Sequence, residues 1–286
     1  MRYQFIREHR HEFSVQHMCR VLDVTRSGYY AWQPEKAGPR EQENQVLVEQ
    51  IRKEYKTSGQ TYGSPRIWAT LQGQGTACGR HRVARLMRRE GIRPQKRQKW
   101  HPVTTQRQPG VIPAPNHLNQ DFSAPLANTK WVSDITYIDT AEGWLYLAIV
   151  LDLFSRKVVG WAMAEQMNTA LVENALRMAL QARQPDAPLL HHSDQGSQYT
   201  SEAYQNRLTD AKMQTSMSRL GNCYDNAVAE SFFGTLKTEC VTAQFATHVL
   251  ARTAIFEYIE VWYNRKRLHS TLGYLSPVEF EQQHGH

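Results

Sequence analysis

The chain has 286 residues, 41% of them hydrophobic, and a formal net charge of +7. That length holds one large domain or two to three small ones, and that apolar content supports a packed core. No run of about 18 apolar residues is present to suggest a transmembrane helix, and the charged start Met-Arg-Tyr-Gln-Phe-Ile-Arg-Glu-His-Arg does not read as a signal peptide, so a cytoplasmic protein is expected.

The charge is unevenly placed. Residues 1–120 carry 21 Lys or Arg against 9 Asp or Glu, a balance of +12; residues 121–286 carry 13 against 18, a balance of −5. A basic front half and an acidic back half suit one part that holds phosphates and another that gathers cations. The four cysteines, Cys19, Cys78, Cys223 and Cys240, are scattered with no Cys-x-x-Cys pair, which argues against a zinc finger or a disulfide framework.

In chain order, residues 13–32 read as helix, turn, helix. Ser14 can cap the first helix, whose apolar face is Val15, Met18 and Leu22; Asp23-Val24 is the turn and Thr25 can cap the second helix. A charged helix is expected over 42–56. The next begins with Ser64 as cap and Pro65 at its first position, and runs to Gly73. A third covers 80–90, with Val83, Leu86 and Met87 inward and Arg82, Arg85 and Arg89 on another face, at the spacing of a DNA-contacting stripe. Two helix-turn-helix units are thus expected within 1–95. Residues 96–122 read as a basic, Pro-rich linker in which Lys96, Arg97 and Lys99 could track a DNA backbone.

From residue 130 the pattern turns to strands at 131–138, 144–151 and 157–163, then a helix at 168–183 opened by Asn168 or Thr169. A short buried strand at 189–192 leads to Asp194. A helix near 200–210, a strand at 213–217, a helix at 226–240 and a last helix at 248–264 follow. The order is β-β-β-α-β-α-β-α.

Three acids stand in contexts that could present carboxylates at one point. Asp134 lies in the strand-like run Lys-Trp-Val-Ser-Asp-Ile-Thr-Tyr-Ile. Asp194 ends the run Leu-Leu-His-His-Ser and precedes Gln195-Gly196. Thirty-five residues separate Asp194 from Glu230, which lies early in the helix at 226–240. Carboxylates meeting at strand ends and a helix suit a hard divalent cation, which takes oxygen ligands and binds phosphates in its open positions. Asp139, Asp152 and Asp225 are the decoys; a loop role is expected for Asp152 and a helix cap for Asp225. His191 and His192 precede Asp194, but Mg²⁺ prefers oxygen. Gly196 lets backbone pass close to a ligand. Lys237 is two turns beyond Glu230 and only about 20° around the helix. Gly234 between them costs the helix on the order of 1 kcal/mol relative to Ala, yet leaves a groove where a DNA strand could settle. Tyr224 and Asn226 read equally as DNA contacts or as local structure.

The segments Trp-Val-Ser-Asp-Ile-Thr-Tyr-Ile, His-Ser-Asp-Gln-Gly-Ser-Gln-Tyr and Tyr-Asp-Asn-Ala-Val-Ala-Glu-Ser-Phe-Phe-Gly-Thr-Leu-Lys resemble the three core motifs of the retroviral-integrase-like DDE transposases. The match is best to the OrfB product of the insertion-sequence-three family, whose tail the segment Tyr-Asn-Arg-Lys-Arg-Leu-His-Ser-Thr-Leu-Gly-Tyr-Leu-Ser-Pro also resembles. The resemblance implies an all-α helix-turn-helix region followed by a ribonuclease-H-like, mixed-sheet catalytic domain over 123–286. It implies Asp134, Asp194 and Glu230 as catalytic metal ligands for two Mg²⁺ ions, with Asp134 bridging them and Mn²⁺ able to substitute. The partners implied are double-stranded DNA (transposon ends and target), further copies of the chain on that DNA, and an upstream OrfA-type protein or fusion segment. Two rivals remain at this point: a ribonuclease-H-like nuclease that never joins strands, and a DNA-binding regulator with an inactive catalytic domain.

Overall fold

The computed structural model describes residues 1–32, 38–95, 113–186, 188–219 and 223–285. Lys96, Arg97 and Lys99 lie outside the described residues.

The front of the chain forms two helical clusters, each with its own apolar core. The first holds α1 (Arg2–Glu8), α2 (Val15–Val21) and α3 (Arg26–Ala31), packed through Ile6, Met18, Cys19 and Tyr29. Ser14 and Thr25 cap α2 and α3 as expected, accepting from the His17 and Gly28 amides. α1 was not anticipated; of its seven residues only Ile6 is buried, too few to set a helical period. The second cluster holds α4 (Pro39–Thr57), α5 (Ser64–Gly73) and α6 (Arg80–Arg89), around Leu47, Ile51, Ile67, Leu71, Val83 and Leu86. The expected cap of α5 is off by one residue: Gly63 is the N-cap, so Ser64 and Pro65 occupy the first two helical positions. No helix among the described residues is long and apolar enough to cross a membrane.

The rest is built on one five-stranded sheet. β1 (Lys130–Thr140), β2 (Gly143–Asp152) and β3 (Val158–Ala164) run antiparallel; β4 (Leu189–Ser193) and β5 (Met213–Met217) join parallel to β1, giving the order β3-β2-β1-β4-β5. This is the mixed sheet expected of a ribonuclease-H-like domain. A parallel neighbour needs a crossover connection, and α7 (Thr169–Arg183) and α8 (Glu202–Asp210) supply the two that place β4 and β5.

The sheet is covered on both faces. α7 and α8 cover one, where Leu171, Ala175, Leu176, Tyr204 and Leu208 pack on Trp131, Ala148 and Val150. Gly160 is required there: a β-carbon would sit 2.2 Å from the Ala175 carbonyl oxygen and 2.7 Å from the Ala179 amide. α9 (Ala227–Glu239) and α10 (His248–Phe256) cover the other, with Phe232, Leu236 and Ile255 against Val132, Leu147 and Ile149. Each such side chain contributes about 1.5–3 kcal/mol on burial. The single helix expected at 248–264 changes character: Glu257–Tyr263 is a π-helical turn continuing from α10. α11 (Pro277–His284), unforeseen within the tail, opens with a capping box between Ser276 and Glu279.

The expected linker ends before residue 122. Leu118 is buried in the core under α9, and the Ser216 hydroxyl accepts from the His117 and Leu118 amides. One apolar residue among prolines and polar residues carries no period, so only the tertiary fold reveals this packing.

Candidate active site

The strand period of two decides which way each acid points. On β1, Val132 and Ile138 face the α9 side of the sheet while Trp131 faces the α7 side. Asp134 shares the parity of Val132 and is paired with Ile149 of β2, another residue of the α9-side core. Asp194 comes directly after β4, whose parallel register against β1 pairs His192 with Val132. Asp134 and Asp194 thus line one cleft, with Gly196, Gln198, Tyr137 and Tyr199.

Gly196 is fitted to Asp194. Its amide donates to Asp194 Oδ1 at 2.9 Å, and a β-carbon there would lie 3.0 Å from the same oxygen. Asp134 accepts from the Ile135 amide at 2.8 Å. Burial above all, then the Asp194 charge and more weakly that of Glu230, holds the Asp134 carboxyl well above the usual carboxylate range; the Ile135 amide and Lys237 oppose this. The negative charge that Asp194 and Glu230 press on Asp134 is what a hard cation relieves, and carboxylate oxygens are its preferred donors. Among the described residues, no three His, Cys, Asp or Glu side chains are gathered closely enough to hold a metal ion. Glu230 is exposed on the first turn of α9 and reaches Asp134 through its charge.

Lys237 lies on the same stripe of α9 as Glu230 and Gly234, beside the buried face of Ala229, Phe232, Phe233 and Leu236. Its ammonium sits 4.7 Å from the centre of the Tyr137 ring, a cation–π contact at the rim of the cleft. Burial pushes its pKa down to about 8, with the Asp134 charge pulling the other way. Asn226 ties the start of this helix to the sheet, donating to the Ser133 carbonyl at 3.3 Å.

The decoys have structural partners. Asp225 does not cap α9; the N-cap is Asn226, without a side-chain cap bond. Asp225 instead accepts from the Arg219 amide and guanidinium, Asn116 and Gln120, and Arg219 holds it far below the usual range. Asp152 closes a loop by accepting from the Asn128 and Phe154 amides at 2.7 and 2.9 Å. Asp139 is exposed and bonded to Gln244. His191 bonds Ser133 and Tyr204 inside the core, and His192 bonds Ser216 and Ser218. Burial pushes their pKa values down to about 3 and about 4, so both are neutral scaffold residues near pH 7.

The arginine stripe of α6 divides. Arg82 bonds Asn44 and Glu43, and Arg89 bonds Glu41 and Glu90, so both hold α6 against neighbouring acids. Arg85 and Arg88 are exposed. The spacing shows the stripe but not the acids of α4 opposite it.

Three family models match the chain. A family model described as an integrase core domain matches residues 124–223, a second integrase core model matches 230–284, and an HTH-like domain model matches 41–100. Transposase InsF for insertion sequence IS3A of Escherichia coli K12 is 43% identical over 286 residues, 99% of both chains. The chain belongs to the IS3 family of transposases. A second relative, the insertion element IS600 uncharacterized 31 kDa protein of Shigella sonnei, is 42% identical over 93% of this chain and 98% of its own. Among solved structures, the simian T-cell lymphotropic virus intasome bound to a PP2A regulatory subunit aligns at a TM-score of 0.47 and 16% identity, covering 80% of this chain and 73% of that one. The HTLV-2 integrase catalytic core with magnesium aligns at 0.41 and 15%, covering 55% and 99%.

Glu239, Arg267 and Tyr62 were not singled out from the sequence of this IS3-family transposase. Arg267 lies inside the tail segment already quoted, which was its available signal; Glu239, two residues past the quoted segment that ends at Lys237, and Tyr62 had none.

Proposed function

We propose that this IS3-family transposase cuts DNA at the ends of an insertion sequence and joins the freed strand to a target, using divalent metal held by Asp134, Asp194 and Glu230. The observation that carries the reading is the cleft where Asp134 and Asp194 meet, with the charges of Glu230 and Lys237 both felt at Asp134. Asp134 and Asp194, in the cleft, and Glu230, brought up to them from α9, would hold the ions; Mg²⁺ is the expected ion and Mn²⁺ its substitute. Bound there, the metal would neutralise phosphate charge and activate the attacking oxygen. The carboxylates would orient that oxygen, and Gly196 keeps the Asp194 carboxylate fixed by its amide.

Duplex DNA is the partner, met by residues 1–95 on one side and by Lys237 beside the acids on the other. Arg85 is the member of the α6 stripe that supports direct phosphate contact, since it is exposed; Arg82 and Arg89 act by holding α6 in place. Lys96, Arg97 and Lys99 are further phosphate contacts in this reading, on the strength of their charge alone. The protein works in the cytoplasm on nucleoid DNA, as several copies and with an OrfA-type segment or partner.

The test is a labelled duplex carrying the element's terminal repeats, incubated with the protein and Mg²⁺. Metal-dependent cleavage together with a joined product is expected. Cleavage with no joined product selects a hydrolytic nuclease, and binding with no cleavage selects a regulator; either sinks the transposase reading.

Lys237 supplies a separate prediction. Lys237→Ala is expected to weaken end binding and cleavage, and Lys237→Arg to restore both, with circular dichroism unchanged. Because its pKa in the metal-free, DNA-free protein is about 8, it loses charge as pH rises through that value, so end binding weakens there in the wild type and not in Lys237→Arg. Wild-type binding and cleavage by Lys237→Ala would place this face of α9 away from the substrate.

A further inference from the structure

The tail segment that begins at Tyr263 has no part in the chemistry above, yet its side chains and backbone are bonded to α9, β3 and the second helical cluster. Arg267 grips Glu239, the last residue of α9: Nε donates to Oε1 and Oε2 at 3.1 and 2.9 Å, and Nη2 donates to Oε1 at 2.8 Å. The same carboxylate accepts from the Tyr258 hydroxyl at 3.0 Å and the Trp262 indole at 3.3 Å. Tyr263 stands edge-on to Phe232 of α9, centroids 4.8 Å apart. Asn264 bonds both the amide and the carbonyl of Val158, at the start of β3. One residue past Arg267, the backbone of Leu268 is held by the other end of the protein: its amide donates to the Tyr62 hydroxyl at 2.8 Å, and its carbonyl accepts from Arg66 Nε at 2.8 Å. Tyr62 also packs against Trp262, ring centroids 5.7 Å apart.

Two consecutive residues thus connect the second helical cluster to the far end of the helix that carries Glu230 and Lys237. Asn226 anchors the near end of that helix to β1. A bidentate Arg–carboxylate bond fixes direction as well as distance, and the buried pair has no room to slide: both side chains are 6% exposed. We propose that this segment is a clasp through which the α4–α6 cluster sets the position of α9, so that Tyr62 and Arg66 are positioning residues for Glu230. The proposal rests on the transposase reading. It gives the helical cluster a second role besides DNA contact: seated on DNA, it holds the third carboxylate in register with Asp134 and Asp194.

The experiment uses the full chain with Tyr62→Phe and Arg66→Lys. The first removes one hydroxyl and the second keeps the charge but loses the Nε donor, so both keep the wild-type circular dichroism spectrum. Cleavage is measured at saturating end DNA against Mg²⁺ concentration, beside end affinity. Each variant is expected to lose about fivefold in turnover, the factor that one net hydrogen bond represents. Each is also expected to need more Mg²⁺ for half-maximal cleavage, with end affinity unchanged. Wild-type turnover and Mg²⁺ requirement in both variants overturn the clasp, as does a loss that saturating DNA restores. Wild-type cleavage in the same assay reports on the transposase reading itself; the clasp stands or falls on the ratio of variant to wild type.

Discussion

Asp134→Asn, Asp194→Asn and Glu230→Gln are each expected to lower strand cleavage by at least about a thousandfold while leaving end binding nearly intact. Each change keeps the shape of the side chain and removes a proposed metal ligand, and the charge stabilisation lost is several kcal/mol, each 1.4 of which is about tenfold in rate. The proposed phosphate contacts lie elsewhere, on the basic helices and Lys237. Asp134→Asn has a second expected effect. Its carboxyl is held well above the usual range by burial and by Asp194 and Glu230, so its charge costs stability at neutral pH when no cation is bound. The metal-free Asn variant is therefore expected to melt higher than the metal-free wild type. A cleavage assay in Mg²⁺ and a melting curve in chelator check the two effects together. Near-normal cleavage by any one of the three variants removes that residue from the triad.

Arg267→Ala is the largest expected loss of stability. The substitution strands the Glu239 carboxylate, 6% exposed, with only the Tyr258 and Trp262 donors. Breaking a buried pair by removing one partner costs about 3–5 kcal/mol, chiefly because an uncompensated charge remains inside. Arg267→Lys keeps the charge but cannot reproduce the two-nitrogen fork, and should fall between. Urea midpoints measure the series. A loss below about 1 kcal/mol for Arg267→Ala, the scale of an exposed pair, would show that the pair opens to water and that α9 is not held at this end.

The catalytic half was legible in the sequence because its signals are local and periodic. The strand 213–217 coincides with β5, and 189–192 differs from β4 by one residue, since short apolar runs bounded by polar turns leave little freedom in register. The caps Ser14, Thr25 and Asn168 were readable because a cap acts within three residues. Where these readings went astray, the deciding partners lay beyond the reach of a helix cap or a helical stripe. Asp225 looked like a helix cap from its neighbours, but Arg219, six residues earlier, and Asn116 and Gln120, more than a hundred earlier, hold its carboxylate. The α6 arginines looked like a free stripe because the acids of α4 that meet Arg82 and Arg89 lie 39 to 48 positions away.

The sequence alone indicated the order of the strands and helices from β1 to α10 and the division into a basic front and an acidic back, and it supplied the three acids proposed as metal ligands. Those properties are written in residue type and short-range spacing, which hydrophobic burial and backbone geometry convert directly into elements. Only the tertiary structure decided that Asp134 and Asp194 share a cleft, that the two histidines are buried scaffold, and that the tail grips Glu239 while the helical cluster holds its next residue. Those are meetings between elements far apart in the chain, set by the parallel register of β4 on β1 and by charges buried where α9, the tail and α5 converge, and no local pattern carries that information.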